Sequence, residues 1–254
     1  MKPIDRRGAL RAGATAALAG ALATACGTTS RPAAPAPRRP APAPVAAPAP
    51  RRLPGQPAEI AHGPRDRPRV ALTFHGQGDP ALARTLLGQA EKAGARVTVL
   101  AVGSWLDQHP DLARRVLDGG HDLGNHTQRH IDVNAMTETE ALAEIEACAT
   151  RLRRLTGSIG TWFRPSRTQH AAPAVLRAAH RAGYPHVLSY DVDSLDFTSP
   201  GADAVVRNVT GSVRAGSVVS LHFGYPDTAA ALPLLLADLD RRGLRAVTTT
   251  ELLT

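Results

Sequence analysis

From Arg69 onward the chain repeats one unit: an amphipathic helical stretch, a glycine, then a short apolar run. The apolar runs are Val70–Phe74, Arg96–Val102, His121–Leu123, Gly160–Phe163, His186–Tyr190, Ser217–His222 and Leu244–Val247. Helical patterns fall near 80–93, 109–118, 137–155, 171–182, 201–214 and 228–242. Gly94, Gly119, Gly157, Gly183, Gly216 and Gly243 each stand where a helix must close in a left-handed cap before the next strand. Six such repeats imply a mainly parallel sheet wrapped by helices. About seven strands favour a β/α barrel over an open, doubly wound sheet. In either architecture the chemistry belongs at the C-terminal ends of the strands.

The first 67 residues follow different rules. Met1 to Ala25 reads as an export signal, with Arg6-Arg7 ahead of Leu10 and Arg11 in a twin-arginine-like pattern. The stretch Ala12–Ala25 is too short and too rich in alanine to span a bilayer. Cys26, after Leu22-Ala-Thr-Ala, looks like a bacterial lipoprotein site, although Ala23 stands where leucine is usual. Cleavage near Ala25 and free secretion is the alternative. Residues 27–67 are dominated by Pro, Ala and Arg and are expected to form an extended linker. The folded domain is therefore expected over 68–254, tethered to the outer face of the cytoplasmic membrane by its lipid or otherwise secreted.

The net charge of +8 comes from this N-terminal part. Residues 1–67 carry 11 Lys+Arg and 3 acids, leaving 19 of each sign in the remaining 187 residues. Nothing in the folded part calls for nucleic acid. The basic linker either lies against anionic lipid or wall polymer or is simply solvated. With Cys26 in the signal, only Cys148 remains, so the domain has no internal disulfide, and Cys148 is expected as a small buried residue.

Polar residues recur just past the strand ends: His75 and Asp79, His126 and His130, Arg164, Asp193 and Asp196, and His222. Two imidazoles four residues apart can reach one metal ion from one side of a helical turn. Chance could supply such a pair, because nine of the ten histidines lie in this domain. Groups at five successive sheet positions pointing into one mouth make the metal reading the stronger one.

These residues resemble the motifs of the NodB-type polysaccharide deacetylases, carbohydrate esterase family 4. Thr73-Phe74 resembles the start of the first motif, Thr-Phe-Asp-Asp-Gly; His126-Thr-Gln-Arg-His130 matches the second, His-(Ser/Thr)-x-x-His. Phe163-Arg164-Pro165, Asp193-Ser-Leu-Asp196-Phe197 and Leu221-His222 resemble the third, fourth and fifth. The resemblance implies a distorted (β/α) barrel of the NodB type and metal-dependent removal of N-acetyl groups from cell-wall polysaccharide, peptidoglycan or chitin-like. His126 and His130 become ligands of a divalent metal, zinc with cobalt or nickel as alternatives. His222 becomes the general acid, oriented by Asp196. Arg164 holds the base, and Phe197 and Leu221 form an apolar wall.

The first motif departs from this pattern. The family has two adjacent carboxylates after Thr-Phe, the base and then a ligand. Here the chain reads His75-Gly-Gln-Gly-Asp79-Pro80. Glycines could fold the loop back and bring Asp79 to the ion, with His75 as base or extra ligand. Asp79 could instead be the base, or only cap the helix that follows. Asp193 could equally form an Asx-turn. A non-catalytic glycan-binding relic of the fold, and an amidohydrolase acting on a small non-sugar amide, are the competing functions.

Overall fold

The computed structural model describes residues 47–254. In chain order the elements are β1 (Glu59–Ile60), β2 (Arg69–Gly76), α1 (Pro80–Lys92), β3 (Thr98–Ala101), α2 (Gly103–Gln108), α3 (Asp111–Asp118), β4 (Asp122–Asn125), α4 (Glu138–Thr156), α5 (Pro173–Arg181), β5 (Val187–Leu188), β6 (Val192–Asp193), α6 (Ala202–Thr210), β7 (Val218–His222), α7 (Pro226–Arg241), β8 (Arg245–Val247) and α8 (Thr249–Leu253). The expected alternation of helix and strand is present.

Strands run in the order β4–β3–β2–β7–β6, all parallel, with β8 beside the start of β2. Phe163 bridges β4 to β5, β5 pairs with β1, and His62 meets Ser217 in an antiparallel bridge. These contacts close the ring into the expected distorted barrel. The distortion is concentrated at the run Gly160–Phe163, where only Phe163 joins the ladder. Gly160 turns left-handed before it and Pro165 follows it.

Alternation along each strand divides the side chains. Leu72, Phe74, Val99, Val219 and Leu221 face the helices and form the main core with α1, α3, α6 and α7. Leu221 is therefore part of the helix-side core, not the apolar wall expected of it. Ala71, Leu100, Trp162, Leu188 and Val218 fill the barrel interior below the site. Cys148 is buried and donates to Ala101 O (3.4 Å); burial pushes its thiol up to about 12, which leaves it unreactive.

Two expectations change. The domain begins before residue 68: Ala47 N donates to Thr156 O (3.0 Å), Ser158 Oγ to Pro48 O (2.9 Å), and β1 is a barrel strand. The backbone of this proline-rich stretch finds partners on the domain, so only part of the expected linker remains. The signal, Cys26 and linker residues 27–46 lie outside the described residues. At one helix end Gly120 rather than Gly119 takes the left-handed turn.

Candidate active site

Strand register brings the histidines together. His75 on β2 pairs with His222 on β7, and both point inward, as do Thr73 and Ser220 two residues earlier. Their ring centroids are 4.2 Å apart. His126 immediately follows β4, two strands away, with its ring 4.4 Å from that of His75. His130 lies 4.8 Å from His126.

His126 and His130 do not share a helical turn. The segment is irregular, with Thr127 and His130 at φ 66° and 54°. Local bonds hold this strained path: Thr127 N donates to Asn125 Oδ1 (2.9 Å), His130 N to Thr127 Oγ1 (3.2 Å), and Arg129 N to Glu144 Oε2 (2.9 Å). The four-residue spacing converges on one point by another route.

The ring nitrogens define what the cluster can do. His126 Nδ1 donates to Arg164 O (2.9 Å), which leaves Nε2 of a neutral ring as a bare acceptor. Nε2 of His126 and Nε2 of His130 are buried and have no hydrogen-bond partner. One ligand atom from each of His75, His126 and His130 lies within 4.8 Å of the others. Burial, then the neighbouring cations and imidazoles, holds His75 and His126 well below the ordinary histidine range. Burial and Arg167 bring His130 down to about 4. Three neutral imidazoles with two orphaned lone pairs suit a cation, because an unanswered buried acceptor otherwise costs about 1–3 kcal/mol. The residues present fit a divalent metal.

Arg164 is wholly buried behind this cluster. It donates to Thr73 Oγ1 (2.7 Å), Leu188 O (3.1 Å) and Ser189 O (2.8 Å). Its Nη1 stands 3.4 Å from His75 Nε2, which also faces Ser220 Oγ at 3.2 Å. Burial lowers its pKa to about 10, so it stays charged at neutral pH. Arg164 thus orients His75, where the family pattern has it hold a carboxylate.

Opposite lies a carboxylate–imidazole pair. Asp196 is wholly buried, and its Oδ1 meets His222 Nδ1 at 2.6 Å. Its Oδ2 accepts from His222 N (2.8 Å) and Thr228 Oγ1 (2.6 Å). With Nδ1 engaged, Nε2 is the free nitrogen of His222. Phe197 and Tyr225 flank the ring at 5.4 and 5.8 Å. A cleft of about 380 Å³ joins His75, His130 and His222 to Tyr190, Asp193 and Phe197.

Asp79 is not brought into this cluster. It is exposed, and its Oδ1 accepts from Ala81 N (2.8 Å) as the N-cap of α1. The loop cannot easily fold back. Trp105 Nε1 donates to Gly78 O (2.9 Å), and a Cβ on Gly78 would stand 2.5 Å from Gly224 Cα. The expected ligand is a helix cap, and His75 takes its place among the converging groups. Asp193 lines the cleft and also accepts from Leu195 N (3.0 Å), combining both expected uses. Trp162 belongs to the core. Sequence reasoning missed Ser220, Tyr190, Tyr225 and Thr228. Ser220 was within reach, two residues before His222 on one strand face; Thr228 bonds Asp196 across 32 residues and leaves no local signal.

Comparisons with known proteins agree with this geometry. The family model for polysaccharide deacetylase matches residues 62–187. A peptidoglycan-N-acetylglucosamine deacetylase of Bacillus cereus is 30% identical over 194 residues, covering 75% of this chain and 90% of its own. The crystal structure of a peptidoglycan N-acetylglucosamine deacetylase in complex with a naphthalenyl N-oxidanyl-benzamide superposes with a TM-score of 0.72 at 25% identity, over 77% of this chain and 92% of that one. A CE4 family pseudoenzyme from Bacillus anthracis gives the same TM-score of 0.72 at 23% identity, over 78% and 70% of the two chains. Equal likeness to an enzyme and a pseudoenzyme shows that the barrel alone does not decide activity. Motif order, barrel and sequence identity converge: the chain belongs to the polysaccharide deacetylase family of carbon–nitrogen hydrolases.

Proposed function

We propose that this protein removes N-acetyl groups from cell-wall polysaccharide, with His75, His126 and His130 holding a divalent metal. Zinc is the first choice for neutral imidazoles, with cobalt and nickel as alternatives. The observation that carries the reading is the pair of buried, unpartnered Nε2 atoms of His126 and His130, with His130 lining the same cleft as His222, whose ring Asp196 holds from behind. The similar peptidoglycan deacetylases support the glycan substrate.

His75, His126 and His130 would hold a divalent ion there, which would supply Lewis acidity toward the acetamide carbonyl and the attacking water. The chain's residues supply the rest. His222 Nε2 takes up the proton that the attacking water loses and passes it to the leaving amine, while Asp196 fixes its ring and stabilises the imidazolium formed in between. Arg164 keeps His75 in place from below. Phe197, 45% exposed, offers an apolar face to the sugar. The N-terminal signal and Cys26 support export and a lipid anchor on the outer face of the cytoplasmic membrane. Among the described residues no helix is long and apolar enough to cross a membrane.

One observation favours a second reading. A histidine stands at the first motif's base position, and Asp79 does not reach the site, so the protein could bind glycan without cleaving it. The test is metal content together with acetate release from peptidoglycan and from chitooligosaccharides, with and without chelator. Chelator-sensitive acetate release establishes the deacetylase. Glycan binding without acetate establishes the binder, and turnover of small amides alone moves the assignment to an amidohydrolase.

A further inference from the structure

The cleft carries one cation that the chemistry above does not use. Among the described residues lining it, Arg167 is the only arginine or lysine. It is exposed and forms no ion pair or hydrogen bond, whereas Arg129 and His170 nearby are paired with Glu144 and Glu59. Asp193, the only acid lining the cleft, already accepts from Leu195 N.

The position of Arg167 is fixed by its neighbours. Ser166 is wholly buried; its Oγ donates to Ile131 O (2.5 Å) and accepts from Thr127 Oγ1 (3.1 Å). On the other side Thr168 Oγ1 donates to His170 O (2.9 Å) and accepts from Asn134 Nδ2 (3.0 Å). Between these anchors Arg167 sits at φ 58°. Glycine would adopt this backbone without strain, so an arginine here is not explained by the turn. Arg167 lines the same cleft as His130 and His222, so its charge faces the site.

We propose that Arg167 is a specificity-determining residue that receives a carboxylate of an acidic N-acetylated glycan, beside the acetamido group presented to the histidines. A planar guanidinium pairs with a carboxylate through two parallel hydrogen bonds. In peptidoglycan that carboxylate is either the lactyl group of a muramoyl sugar or an acid of the attached peptide; chitin-like chains have neither. The inference rests on the glycan deacetylase reading and narrows it toward acidic strands.

The experiment uses the metal-loaded protein and three substrates: chitotetraose, peptide-free glycan strands with free lactyl carboxylates, and strands bearing their peptides. Acetate release gives kcat/KM, and binding of the same glycans is measured separately by calorimetry. The wild type should prefer one or both acidic substrates, and the preference should shrink as salt rises. Arg167→Gln should reduce the ratio of acidic to neutral kcat/KM by about three- to tenfold, while Arg167→Lys, which keeps the charge but not the paired hydrogen bonds, should retain part of it. The arm that loses more identifies the carboxylate. An unchanged ratio in Arg167→Gln, or an equal loss in both variants, overturns the proposal. If the wild type binds acidic glycan through Arg167 but releases no acetate, the deacetylase reading fails and the carboxylate site stands.

Discussion

One strand, β4, is bracketed by two buried histidines, and they have opposite fates. His121 precedes it at the closed end of the barrel. Its Nδ1 accepts from Val97 N (3.1 Å), and its Nε2 meets Glu91 Oε1 at 3.3 Å. His126 follows the strand at the open end, where Nδ1 is bonded and Nε2 is not. Burial lowers the pKa of both rings. What separates them is satisfaction, not burial. A structural histidine has both nitrogens answered by the protein; a ligand keeps one lone pair in reserve.

The same contrast extends to the two ends of the barrel. At the closed end, Asp122 Oδ2 accepts from Thr250 N (2.9 Å) and Thr250 Oγ1 (2.7 Å), with Trp162 Nε1 at 3.3 Å. Left-handed turns there fall to glycines. At the mouth they fall not only to Gly78 and Gly201 but also to Thr127, His130, Arg167, Leu195 and Ser199, which comprise every non-glycine with positive φ among the described residues. Strain of this kind costs about 1–3 kcal/mol per residue and persists where the surroundings impose it.

The largest effect should come from exchanging the two histidines for alanine. His126→Ala should reduce bound metal to background and remove acetate release with it. His121→Ala should leave metal content intact and cost about 1–3 kcal/mol of stability, from the unpaired Val97 N–H and the lost packing. Elemental analysis and denaturant unfolding read the two outcomes. Loss of metal from both variants would erase the distinction drawn above.

His222→Ala sharpens the contrast within the mouth. Metal should remain, since the ligand atoms that converge are those of His75, His126 and His130 and not of His222, while kcat falls by about 10²–10⁴-fold for a missing proton donor. Metal loss in this variant would move His222 into the ligand set.

A pH scan tests the mouth histidines collectively. Their folded pKa values lie below the unfolded value, so the unfolded chain takes up protons first. Stability of the metal-free protein should therefore fall as pH drops from about 6.5 toward 4, by up to about 1.4 kcal/mol per pH unit for each proton. For His130 the window closes at about 4. His126→Ala should flatten the slope of melting temperature against pH. An unchanged slope would mean that His126 is not held neutral by burial.

Much of this was legible beforehand because the signals were local. Alternating helices, glycines and apolar runs gave the barrel, and Ser217–His222 also carried its inward face. Elements of two residues, such as β1 and β6, carry too little pattern to be found, and β1 forms only because β5 offers a partner. Proline-rich composition disguised residues 47–67, whose bonds are made by distant parts of the domain. In the site, His126, His130, Arg164, Asp196 and His222 followed from strand ends and family motifs. The wrong geometry for His126 and His130 came from reading a four-residue spacing as helix, when backbone hydrogen bonds donated to Asn125 Oδ1 and Thr127 Oγ1 impose a tighter path.

Asp79 gives the smallest and most discriminating prediction. A carboxylate near a metal motif invites a ligand role, yet Asp79 has the features of a cap: extended backbone, Pro80 at the first helical position, and a bond to Ala81 N. Asp79→Ala should cost about 1 kcal/mol of stability and leave metal affinity unchanged. Asp79→Asn, which keeps the acceptor, should recover most of that loss. The alternative predicts the opposite pattern, because removing a ligand charge weakens metal binding in both variants. Metal titration of the pair therefore separates a loop that completes the site from a loop that starts a helix. In the structure Trp105 and Gly224 pin that loop beside α1, leaving His75 as the group on β2 that reaches the other histidines.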